Sequence, residues 1–96
     1  MLDELNHRPL TFTQKRELWN RICSNFKEQL ARLPKLFEEC YSNRKFVKVT
    51  KSGYWLSGNN ETVTFYFTVV GADAEGNEDD FEMDFTCELG DVREVL

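Results

Sequence analysis

Ninety-six residues, 41% apolar, 30% charged and 14% aromatic, make one globular domain. Two domains do not fit, and the aromatic content excludes a disordered chain. The net charge is −5, and no apolar run approaches the roughly 18 residues of a membrane span.

The N-terminal stretch MLDELNHRPL lacks the apolar segment of a secretory signal. Cys23, Cys40 and Cys87 cannot all pair with one another and show no C-x-x-C spacing. The expectation is a cytoplasmic protein with reduced, buried thiols. Charge is split along the chain. Residues 1–51 hold eleven bases against six acids, a net +5, whereas residues 52–96 hold Arg93 alone against eleven acids, a net −10. Such a split marks either two halves that attract each other in the fold or an acidic half that meets basic surfaces.

Residues 1–10 read as a flexible leader to a single domain spanning 1–96. Thr11-Phe12-Thr13-Gln14 then signals a helix start, with Thr11 and Gln14 fitting a capping box. Leu18, Ile22, Phe26, Leu30, Leu33 and Phe37 follow at helical spacing, widened by Trp19 and Cys23. Glu17 with Arg21 and Glu28 with Arg32 are acid-first pairs one turn apart.

Pro34 interrupts this pattern, and a proline inside a helix costs about 3 kcal/mol. A straight helix over 13–43 would run ~46 Å, against roughly 32 Å for a compact chain of this length. The helix is therefore expected to kink or break near Leu33-Pro34, with a second short helix from about Pro34 to Tyr41.

Beyond Ser42-Asn43 the period changes to two. Arg44 to Lys51 reads as a first strand, with a bulge or turn at Ser52-Gly53 before Tyr54-Trp55-Leu56. Gly58-Asn59-Asn60 is a hairpin signal. Thr62 to Val70 alternates clearly: Val63, Phe65, Phe67 and Val69 face one way, and Thr62, Thr64, Tyr66, Thr68 and Val70 the other. After the loop 71–77, Phe81, Met83, Phe85, Cys87 and Leu89 alternate with Glu82, Asp84, Thr86 and Glu88. Val92 to Leu96 reads as a short edge strand or tail. The fold class is α+β: an N-terminal amphipathic helix packed on one face of an antiparallel meander of three or four strands.

Catalytic and metal-binding readings find little support. The single histidine, His7, falls in the leader, so a Ser-His or Cys-His pair would depend on that one residue. The cysteines read as small apolar residues. The acidic loop places Asp73, Glu75 and Glu82 at calcium-loop positions, but Gly71 falls where the first Asp belongs and a strand follows where a helix is required. The chain is read as non-enzymatic, with no metal and no cofactor.

Two surfaces remain. The first is the sheet face away from the helix, carrying Thr64, Tyr66, Thr68, Asp80, Glu82, Asp84 and Glu88, its acids spaced ~6.8 Å apart along one strand. The second is the basic helix with Lys15, Arg16, Arg21, Lys27, Arg32 and Lys35, continued by Arg44, Lys45, Lys48 and Lys51. The expected function is a small protein-interaction module, an inhibitor or adaptor. It would dock the acidic sheet face on a basic, nucleic-acid-binding surface of a partner protein, by an analogy of size and charge with phage anti-defence and immunity proteins. A nucleic-acid-binding module that uses the helix is the first alternative, and a homodimer subunit the second.

Overall fold

The computed structural model describes residues 9–95, in the order helix, three strands and a final helical turn. Helix α1 spans Phe12–Cys40. Its first turn is closed by the expected capping box: the Gln14 backbone N–H donates to Thr11 Oγ1 at 3.1 Å, and the Thr11 N–H donates to Gln14 Oε1 at 3.0 Å. The Gln14 side-chain amide also donates to the carbonyls of Arg93 and Val95, tying the helix start to the chain end. Glu17 and Arg21 form their ion pair at 2.9 Å. His7 lies outside the described residues; of the remaining leader, Leu10 is half-buried against the core.

The second short helix does not form. α1 continues through Pro34 as one element, because Leu33 and Phe37 on either side of it are fully buried. The fold is elongated at 59 × 22 × 19 Å rather than spherical, so the long helix does not overhang it. Leu30 is a further correction. Each step of four residues turns ~40° past a full circle, so the row Leu18, Ile22, Phe26, Leu30 drifts off the core side. Leu30 ends 41% exposed, and Gln29 takes the inward position at 7%.

Strands β1 (Lys45–Leu56), β2 (Thr62–Ala72) and β3 (Glu78–Glu88) form an antiparallel sheet in the order β1-β2-β3. The helix covers one face. Val63, Phe65, Phe67 and Val69 of β2 are buried beneath it, with Phe26 against Phe65 and Phe67 at 5.6 Å between ring centroids. Phe37 meets Phe46 and Phe81 at the other end of the layer. Phe81, Met83, Phe85 and Cys87 of β3 are half-buried on the same side.

β1 differs from expectation. It is one strand of twelve residues, and its irregularities fall between Phe46 and Lys48 and between Val49 and Lys51, not at Ser52-Gly53. Gly53 pairs regularly with Tyr66, and a Cβ there would collide with the Tyr66 ring. The glycine makes room for an aromatic ring rather than for a turn. The hairpin at 57–61 does form, with Asn60 at φ 61° and Ser57 Oγ accepting from the backbone N–H groups of Glu61 and Thr62.

The C-terminal segment is a helical turn, Val92–Glu94, capped by Asp91 and anchored by buried Val92, not an edge strand. The three cysteines are free but not buried as expected: Cys40 is exposed, and Cys23 and Cys87 are half-buried. Cys40 sits in the last turn of the helix, where Phe37 and Tyr41 take the positions against the sheet.

Candidate interaction face

Among the described residues nothing covers the second sheet face, and the pairing register decides which side chains meet on it. Strand side chains alternate, and directly paired residues share a face. Thr62, Thr64, Tyr66, Thr68 and Val70 of β2 stand opposite Glu88, Thr86, Asp84, Glu82 and Asp80 of β3. All seven residues singled out from the sequence therefore occupy one face. Thr64 and Thr86 share a hydroxyl hydrogen bond of 2.9 Å across the strands. Val70 is buried, although its neighbours on that face are not.

β1 completes the face with residues that the sequence reading left out. Lys48, Lys51, Gly53 and Trp55 stand opposite Val70, Thr68, Tyr66 and Thr64. Because Gly53 has no side chain, the Tyr66 ring lies over its backbone and stacks on Trp55, with centroids 5.5 Å apart and planes 26° apart. Trp55 remains 52% exposed. Lys51, Trp55, Tyr66, Thr68, Glu82 and Asp84 surround a shallow cleft of about 290 Å³. A parity argument along β1 would have found Trp55. Three consecutive apolar residues, Tyr54-Trp55-Leu56, hide that parity, and the expected break at Gly53 removed it.

The charges sort by strand. β1 carries Lys45, Lys48 and Lys51 and no acid; β3 carries Glu78, Asp79, Asp80, Glu82, Asp84 and Glu88 and no base. β2 holds these strands about 9–10 Å apart, near the Debye length at physiological salt. Among the described residues, Asp80, Glu82, Asp84 and Glu88 form no ion pair. Their carboxylates face water.

Several other charged groups are already engaged. Arg21 holds Glu17 and donates to the Leu89 carbonyl at 2.6 Å. Arg44 bridges Asp73 and Asp79 at the β2–β3 turn, at 3.8 and 3.3 Å. Asp73 accepts from the N–H groups of Glu75 and Asn77, and these bonds, led by that of Asn77, hold its carboxyl below the usual range. The carboxylate of the calcium-like loop is thus spent on closing the loop itself. Burial pushes the Cys87 thiol up, with Glu28 adding to the shift, so this group is held as a thiol rather than a thiolate. Among the described residues no three His, Cys, Asp or Glu side chains are grouped to hold a metal ion. No family model matches the chain, and neither a curated protein nor a solved structure matches it.

Proposed function

We propose that this chain is a cytoplasmic protein-interaction module without catalytic chemistry, which acts as an inhibitor or adaptor by docking its bare sheet face on a basic surface of a partner protein. The observation that carries this reading is the half-exposed Trp55–Tyr66 stack in the middle of the face, bordered by the unpaired carboxylates of Glu82 and Asp84. Tryptophan and tyrosine dominate interface energetics because they bury large rigid surfaces at small entropic cost. Acids at the rim steer a basic partner and set its orientation. The β-branched Thr62, Thr64 and Thr68 keep the remainder of the face stiff. The three free cysteines are consistent with a reducing compartment.

An arginine-rich peptide serves as the probe, with binding read from tryptophan fluorescence in a chain where Trp19 is replaced by Phe. Glu82→Lys with Asp84→Lys should weaken binding at least tenfold while the circular dichroism of the fold is unchanged. Lys15→Glu with Lys35→Glu, on the helix, should leave affinity within twofold. Binding should also weaken as salt rises. Equal affinity in the sheet-face variants would overturn the reading.

A further inference from the structure

We propose that the open edge of β1 is a homodimer seam, in which two copies of this chain pair antiparallel through Ser52–Leu56 about a twofold axis at Tyr54 and close their apolar grooves on each other. This surface is separate from the face that carries the acidic row.

β1 has a hydrogen-bonded neighbour on one side only among the described residues. Its two halves treat the free side differently. The half up to Lys51 is guarded by both irregularities and by Lys45 and Lys48, the usual devices against strand addition. From Lys51 to Leu56 the pairing with β2 is unbroken and Lys51 is the sole charge. The Ser57 N–H donates to the Thr62 carbonyl at 3.0 Å, which fixes the alternation of the ladder. Residues 51, 53, 55 and 57 turn their backbone groups to β2, so those of Ser52, Tyr54 and Leu56 point to the open side.

These same three residues turn their side chains toward the helix layer, where a groove of about 400 Å³ opens beside them. Trp19, Cys23, Phe26, Ser52 and Tyr54 line it. Trp19 and Tyr54 pack together at 6.3 Å between centroids, yet remain 53% and 44% exposed. A strand added at this edge would lie beside the groove, and the helix that comes with it would turn its own Trp19 toward it.

A second copy fits better than a foreign strand because the edge is complementary to itself. In the register centred on Tyr54, Tyr54 meets Tyr54, and Ser52 meets Leu56, so every outward backbone group of the segment is paired. Lys51 falls opposite Ser57, and Lys48 faces the 57–61 turn that carries Glu61, so no lysine meets a lysine. The β3 edge has no such option, since its six acids would oppose each other. A β1-to-β3 contact joins opposite charges but is head-to-tail and does not close. A stable interface needs about 800 Å² from each partner, and aromatic side chains of ~150–250 Å² are the efficient way to reach it.

Sedimentation equilibrium of the full chain at about 100 µM tests the seam. The expected mass is twice 11.3 kDa, retained or tightened in 0.5 M NaCl because the two copies carry −5 each. Tyr54→Lys and Trp19→Lys should each return the monomer with helical circular dichroism intact, whereas Glu82→Lys with Asp84→Lys should leave the dimer in place. A monomer at 500 µM, masses that grow beyond two copies, or a dimer that survives both groove variants but yields to the sheet-face pair would each overturn the proposal.

Discussion

Gly53 is where a missing side chain makes room for an exposed aromatic stack. Its missing Cβ lets the Tyr66 ring lie flat across β1 and reach Trp55, and a methyl group there would occupy the ring's place. Gly53→Ala should therefore cost only about 1 kcal/mol in urea titration, since the end of a flexible side chain can swing aside. It should, however, abolish the near-ultraviolet circular dichroism of the Trp55–Tyr66 stack. An unchanged near-ultraviolet spectrum would show that the stack does not depend on the glycine. Gln29 makes the complementary point. It lies inside the helix–sheet layer near Cys87, a polar residue in a position that hydrophobic patterning assigns to Leu30. Periodicity counted in steps of four locates the core side of a helix but not its drift over three turns.

Helix α1 tolerates Pro34 because burial on both sides outweighs one missing hydrogen bond. The proline removes an N–H and crowds the preceding turn, an effect of about 3 kcal/mol. Leu33 and Phe37 are both fully buried, and each contributes on the order of 2–3 kcal/mol. Pro34→Ala should then stabilise the fold by about 1–2 kcal/mol in urea titration, the gain being trimmed by the loss of the half-buried ring; a loss of stability would show that the ring is needed where it packs.

The sheet was the more legible part. Strands β2 and β3 alternate strictly and follow tight turn signals, so their faces were readable residue by residue, including the acids of the candidate site. β1 was not, because Val47 and Thr50 at its irregular positions and the run Tyr54-Trp55-Leu56 blur the alternation that would have revealed Trp55. Two turn carboxylates contribute to acid sensitivity. Asp73 closes the β2–β3 loop and Asp91 caps the last helical turn, where the Arg93 side chain is its first partner; both carboxyls sit below their ordinary value of 3.8. Folding thus favours their ionised forms, and their contribution is complete above about pH 5 and lost as pH falls past 3.8 and through the lower folded values. The double variant Asp73→Asn, Asp91→Asn should lose less stability than the parent chain between pH 5 and pH 3 in thermal unfolding. Parallel acid limbs would remove these two groups from the account.

For the molecule as a whole, folding does not erase the charge asymmetry of the sequence but rearranges it across the width of one sheet. Arg44 pairs with two of the acids at the β2–β3 turn, Asp73 and Asp79, while the middle and far end of β3 keep their unpaired acids beside the aromatic stack. The β1 side presents lysines on the bare face and, on the helix side, an apolar groove. The two proposed contacts differ in physics: docking through the acidic face would weaken with salt, whereas pairing through the groove would not. The most direct measurement is a nuclear magnetic resonance titration of the 15N-labelled chain with an arginine-rich peptide. The account predicts that shift changes concentrate on the Trp55 indole and the amides of Tyr66, Thr68, Glu82 and Asp84. Changes centred on α1, or spread evenly over distant acids such as Glu38, Glu39 and Glu75, would contradict it.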